Sequence, residues 1–359
     1  MDIEIKRSDL QAVRVVDEPV PGPGPGEALL RIDEFALTSN NVTYGVIGHL
    51  LGYWDFFPTH DGDEAWGRIP AFGFAQVERS GHPDVAVGTR VFGYLPMSTH
   101  LLVAPDKVDD RGFMDSTPHR RAMSSVYNHY RRVDSDPTYD AAREAEQMLL
   151  FPLFMTSFVV EDLLADDERT VGADVVVSSA SSKTSIGVAF LCGARGASTV
   201  TGLTSSQHRS FVDGLGVYDR VLSYDEADGL PSTPTTYVDV AGNVPVREAI
   251  HRHLGDQLVS SMIVGGSHWD RMTPTGELVG PRPEFFFAPD RVTRRTADWG
   301  AAGLDERINQ AWHDYLGFVD RWLGIRRTAG PDGVIEVWHE LLAGASDPAV
   351  GHIAGLAAG

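Results

Sequence analysis

Residues 175–190, VVVSSASSKTSIGVAF, pass from a β-branched apolar run through a serine-rich turn into a helical pattern. α/β proteins bind nucleotide phosphates at such places, because the first turn of a helix leaves backbone N–H groups unpaired. Lys183-Thr184 match the end of a G-x-x-x-x-G-K-[ST] loop, but Val177 and Ser182 stand at its glycine positions. Side chains there hinder the backbone from wrapping a phosphate, so a P-loop is disfavoured. A dinucleotide turn fits better. Gly187 occupies the place of its third glycine, which allows close packing. Ser181, Ser182, Thr184 and Ser185 offer hydroxyl and N–H groups, and Lys183 a charge. A plain serine-rich turn with no ligand is the alternative.

The end of the following strand bears on the choice. NAD-specific sheets place an Asp or Glu there for the ribose 2′-hydroxyl. Here TVTGLTSSQHRSF carries no acid before Asp213, and offers Thr204, Ser205, Ser206 and Arg209. Hydroxyls and a guanidinium suit a 2′-phosphate, which points to NADPH over NADH. Ser205 and Ser206 can equally cap a helix.

These residues need a frame. From about 150 to 290, strand candidates (DVVVSSA, STVTGLT, DRVLSYD, TTYVDVAG, LVSSMIVGG) alternate with helical ones (SIGVAFLCGARG, SSQHRSFVDGLG, VREAIHRHLG). That spacing predicts a parallel sheet wound on both faces by helices. Residues 1–108 read as β-rich, broken by turn signals such as PGPGPG. Residues 109–147 are polar and read as a helical insertion. The tail is amphipathic helix, as in LDERINQAWHDYLGFVDRWL.

The formal net charge of -20 opposes nonspecific binding to nucleic acid or an anionic membrane. The single cysteine, Cys192, lies in an apolar run and excludes an internal disulfide or a cysteine-based zinc site. His49, His60, His268 and His313 lack metal-ligand spacing, and His251 and His253 fall on different helical faces, so no metal site is expected. No secretory leader is visible and no apolar run reaches the roughly 18 residues that span a bilayer, so a cytoplasmic protein is expected.

In segment order the chain resembles the medium-chain dehydrogenase/reductase superfamily, particularly its zinc-free quinone and enoyl reductases. PGPGPGEALLRIDEFALTSNNVTYGVIG, IPAFGFAQVERSG, VGTRVFGYLPMSTHLLVAPDKV, LFPLFMTSFVVEDLL, TTYVDVAGNVPVREAI, LVSSMIVGGSHWD and GHIAGLAAG carry the likeness. It departs from the family in its near-absent glycine fingerprint. The resemblance implies an α/β fold of two parts, a GroES-like β-rich domain and a Rossmann doubly wound parallel sheet. The expected division is 1–150 with its insertion, 151–300, and a return to the first domain over 301–359. It also implies NADP(H), a small-molecule substrate, a homodimer, and Gly265-Gly266 lying close to the nicotinamide.

Without zinc, the implied reaction is hydride transfer to an activated C=C or a quinone. Charge then builds on an oxygen that needs a hydrogen-bond donor. Tyr44 follows the turn TSNNVTYG where similar enzymes carry a pocket tyrosine, with Asn40 and Asn41 beside it. In SSVYNHYRRV, Tyr127 and Arg131 are i,i+4, which on a helix puts both on one face with Asn128 and Tyr130 nearby. An arginine there suits a carboxylate substrate. GYWDFFP, residues 52–58, can line an apolar pocket near Tyr44. The rival expectation is an inactive binding or scaffold protein that keeps the fold. A lyase or isomerase without net redox change is a third.

Overall fold

The computed structural model describes residues 1–121, 123, 125–196, 199–265 and 278–356. The chain forms two compact units, Met1–Leu149 with Gly324–Gly359, and Leu150–Leu323.

The second unit holds a six-stranded sheet among the described residues. In spatial order its strands are Arg220–Ser223, Val200–Thr204, Asp174–Val177, Thr235–Asp239, Leu258–Ile263 and Glu284–Phe285. Every neighbouring pair is parallel. Numbered along the chain, that is the 3-2-1-4-5-6 order of a dinucleotide-binding sheet, with its topological switch point between Asp174–Val177 and Thr235–Asp239. The strands are β-branched runs because both faces are covered. Val175 and Val177 pack with Val160, Leu164 and Val188 on one face, and Val176 packs with Leu203, Ile250 and Leu254 on the other. The helices Lys183–Arg195, Arg209–Leu215 and Val244–Leu254 fall where the periodicity put them.

The first unit is built on a nine-stranded, mostly antiparallel sheet among the described residues. Its hub is the strand Ala28–Leu37, paired with Pro70–Ser80, His100–Val103 and Val350–Gly355. The last of these is a C-terminal strand. The return begins at Gly324 and not at 301, because the helix Ala288–Val319 lies wholly in the second unit.

The segment 109–147 is not a helical insertion. Pro105–Asp109 and Gly112–Asp115 form a hairpin, and His129–Arg132 joins the sheet between Gly112–Asp115 and Arg90–Pro96. A buried Arg120 organises it, donating to Asn128 Oδ1 at 3.0 Å, Asp115 Oδ2 at 2.9 Å, the Tyr130 hydroxyl at 2.9 Å and the Tyr127 carbonyl at 2.7 Å. Asp115, Arg120 and Asn128, polar in sequence, are buried here and joined through the Arg120 guanidinium.

One helix, Ala141–Asp166, is long and apolar enough by composition to cross a membrane, contrary to the sequence expectation. Its apolar length goes into packing: Phe151 and Phe154 lie 5.2 Å, centroid to centroid, from Trp312.

Candidate functional site

In the second unit the turn after Asp174–Val177 is built without glycine. Ser179 takes φ 52°, the left-handed conformation that non-glycine residues rarely adopt. The Ser179 N–H donates to the Tyr224 hydroxyl at 3.1 Å, and Ala180 N–H to the Leu203 carbonyl at 2.9 Å. Burial pushes the Tyr224 phenol up to about 12. Ser182 caps the helix Lys183–Arg195, accepting from Ser185 N–H at 3.3 Å.

Several predicted donors turn inward. Ser185 is fully buried, and its hydroxyl donates to the Ser178 carbonyl at 2.8 Å. The Ser182 hydroxyl donates to Ser185 Oγ at 2.9 Å, and Ser181 Oγ lies 3.2 Å from His208 Nδ1. Lys183 and Thr184, half-buried, open the helix where its N–H groups emerge. Gly187 does serve close packing, but of helix on helix: a Cβ there would lie 2.6 Å from Ser157 Oγ.

At the next strand, Thr204 is buried. Ser205 and Ser206 do not cap a helix, because Arg209–Leu215 begins at an N-cap of His208. Arg209 is already paired, donating to Glu226 Oε2 at 2.5 Å and the Val221 carbonyl at 3.3 Å. Gly265 lies against the Val240 carbonyl, where a Cβ would come within 3.0 Å. Gly266 lies outside the described residues.

Sequence reasoning missed the group at the switch point. The Ser178 hydroxyl donates to Asp239 Oδ1 at 2.9 Å and accepts from Val240 N–H and Ala241 N–H at 3.0 and 2.9 Å. Arg247 Nε donates to Asp239 Oδ2 at 2.8 Å. The available signal was DVAG, an acid closing a buried strand just before a glycine turn.

In the first unit, Tyr44 sits on the helix Ser39–Val46, which is held by a capping box at Thr38. Asn41 belongs to that box and not to the chemistry: its Oδ1 accepts from Thr38 N–H at 2.7 Å and its Nδ2 donates to the Pro70 carbonyl at 2.8 Å. Asn40 is the residue that touches Tyr44, donating from Nδ2 to the hydroxyl at 2.6 Å. The fold brings Tyr44 and Tyr127 into one aromatic cluster with Tyr53, from the 52–58 run expected near Tyr44, and with Tyr94, which sequence reasoning did not single out. Ring centroids lie 4.4 Å apart for Tyr44–Tyr53, 5.8 Å for Tyr44–Tyr94 and 4.8 Å for Tyr94–Tyr127. Burial raises the pKa of all these phenols, so they stay neutral donors at physiological pH. Arg131 is not with them. The helix carrying Tyr127 stops at Asn128, and Arg131, on the strand that follows, pairs with Asp136 at 2.6 Å.

Among the described residues no cluster of His, Cys, Asp or Glu could hold a metal ion.

Residues 35–347 match the family model described as "Protein of unknown function (DUF2855)". The chain belongs to this family. No curated protein matches the sequence. Solved structures similar in fold include CurA from Vibrio vulnificus in complex with NADPH, at TM-score 0.63 and 14% identity over 97% of this chain and 95% of that one. A putative NADPH:quinone reductase from Mesorhizobium loti gives 0.55 and 13% over 93% and 88%. Haloferax mediterranei glucose dehydrogenase, in complex with NADP, Zn and gluconolactone, gives 0.57 and 11% over 99% of each chain. This DUF2855 member therefore has the medium-chain dehydrogenase/reductase fold, a GroES-like β-rich part and a Rossmann sheet.

Proposed function

We propose that this protein is an NADP(H)-dependent oxidoreductase that reduces an activated C=C or a quinone without zinc. The observation that carries this reading is the fold likeness, over nearly the whole chain, to proteins solved with NADPH or NADP. The donor chemistry of the serine turn fits a dinucleotide: a helix N-terminus flanked by Lys183 and Thr184, on a sheet of dinucleotide-binding order. When bound, the reduced nicotinamide supplies the hydride.

The rest falls to side chains of this chain. Lys183, Thr184 and the first N–H groups of their helix hold phosphate. Arg209 takes the 2′-phosphate by exchanging out of its exposed pair with Glu226. Tyr44, its oxygen accepting from Asn40, keeps its own proton to donate to the acceptor oxygen as charge develops there. The same reading implies a small-molecule substrate and a homodimer.

A thermal-shift titration with NADPH, NADP, NADH and ATP tests it. A rise specific to NADPH supports the assignment, and no rise with any dinucleotide sinks it. The inward-turned hydroxyls of Ser182 and Ser185 favour the rival, an inactive scaffold of the same fold, which that null result would leave standing. In an active protein, Tyr44→Phe should lower kcat on the order of 100-fold, the scale of losing one oxyanion donor.

A further inference from the structure

The strand Gly324–Ala329 is the outermost member of the first unit's nine-stranded sheet. Val350–Gly355 pairs with it in parallel along its whole length, from Gly324 with Val350 to Ala329 with Gly355. Among the described residues no strand pairs with its other edge. That edge runs over six residues, about 20 Å at roughly 3.3 Å per residue, and five of the six are exposed. A row of unpaired N–H and C=O groups is a template for a further strand. Sheets blunt such edges with proline, bulges or a covering element. Here the register runs without a shift and the strand contains no proline. Its side chains are what guard it.

Arg326 and Arg327 are adjacent on this strand, so they project to opposite faces of the sheet. Arg326 pairs with Glu340, on the helix Gly330–Leu342. Arg327 pairs with Glu34, on the strand Ala28–Leu37, at 2.7 Å. Both guanidinium side chains are about half exposed, and exposed pairs of this kind are weak and exchange readily. From Arg321 to Pro331 the sequence holds no acid. Ile325, also exposed, shares a face with Arg327.

These side chains choose among occupants. Antiparallel pairing of the whole strand with a second copy sets Arg326 against the Arg327 of that copy, and like charges directly opposite are destabilising. An acidic extended segment meets both arginines favourably. On a strand laid beside this one, two consecutive acids fall on opposite faces, one against each guanidinium, and an apolar residue next to them falls on Ile325. The selection is local, because charges farther off are largely screened beyond about 8 Å at physiological salt.

We propose that the free edge of Gly324–Ala329 is a docking site for an extended acidic peptide, which adds a strand to the sheet and is selected by an apolar-acid-acid pattern through Ile325, Arg326 and Arg327. The edge carries none of the residues assigned above to cofactor or acceptor, so this docking stands or falls apart from the oxidoreductase reading.

The test is calorimetric titration of the full chain, at physiological ionic strength, with the blocked peptide Thr-Val-Glu-Glu-Val-Thr and with Thr-Val-Lys-Lys-Val-Thr. Each reads alike in both directions, so either strand orientation presents Val to Ile325 and the central pair to the two arginines. The glutamate peptide should bind at least about tenfold more tightly, although the net charge of -20 favours the lysine one. Arg326→Gln and Arg327→Gln should each weaken it about threefold, and together about tenfold, with Tm unchanged. N-methylation separates strand addition from charge attraction. Methylating one alternate set of peptide nitrogens removes the N–H groups that face the edge and should abolish binding, whereas methylating the other set should leave it intact. Preference for the lysine peptide, unchanged affinity in the double glutamine variant, or equal binding of the two methylated peptides would overturn the proposal. So would a dimer in sedimentation that the glutamate peptide dissociates, because the edge would then belong to a second copy.

Discussion

The Ser178 hydroxyl donates to Asp239 Oδ1 at 2.9 Å, tying together the C-terminal ends of the two strands that flank the switch point of the parallel sheet. Ligands of open α/β sheets bind outside those ends. The tie sets the local shape of the mouth, because the same hydroxyl holds Val240 N–H and Ala241 N–H, and the same carboxylate holds Gly242 N–H and Arg247.

Removing either member should cost stability unequally. Asp239→Ala leaves the buried Arg247 without its counter-charge and should destabilise by roughly 3–5 kcal/mol. Ser178→Ala leaves two backbone N–H groups unpaired, a loss of about 1–3 kcal/mol. Urea unfolding of both variants checks the ranking, and equal losses would mean that the ion pair is not the stronger member.

Gly187→Ala should destabilise although alanine is the better helix former by about 1 kcal/mol. The added methyl would lie 2.6 Å from Ser157 Oγ and 2.9 Å from Ser157 Cβ, an overpacking that costs roughly 1–3 kcal/mol. Ser157→Gly in the same chain should restore most of the loss, as read by Tm of the single and double variants.

The pair of Arg209 with Glu226 competes with a 2′-phosphate for one guanidinium. Glu226→Gln should therefore tighten NADPH binding by roughly threefold and leave NADH unchanged, whereas Arg209→Ala should abolish any preference for NADPH. Cofactor fluorescence titrations decide this, and a tighter fit of NADH alone in Glu226→Gln would contradict the assignment.

Acid should act through Asp2. Burial works to raise its pKa, but the hydrogen bond with His60 and the charge of Arg68, 3.2 Å away, outweigh it and leave the carboxyl lowered from 3.8 to about 2. A depressed folded pKa adds stability above the unfolded value, and that stability is lost as pH falls through the folded one. The contribution, roughly 2 kcal/mol, should be present above about pH 4 and gone by about pH 2. The Tm of Asp2→Asn should fall less steeply across that window than the Tm of the wild type.

Much of this protein was legible in the chain itself. The strand runs, the helices between them and the order of the two parts follow from local periodicity and β-branching, which each segment carries within a dozen residues. The serine turn was legible too, because its strand, cap and helix are contiguous. Other features depended on pairings that no local pattern records. Residues 109–147 looked helical because they are polar and carry helix-like stretches, but in the fold Asp115, Arg120 and Asn128 are buried against one another. Arg209 looked available because Glu226 lies 17 residues away, beyond the next strand. Ser178 and Asp239 are 61 residues apart and meet only because the strands before them are parallel neighbours in register. Tyr44, Tyr53, Tyr94 and Tyr127 come from separate helices, a turn and a strand, and the packing of the first unit's sheet is what closes them into one cluster. Sequence fixes which elements form, since backbone preference is local; which side chains share a site is settled by sheet register and burial, which are not.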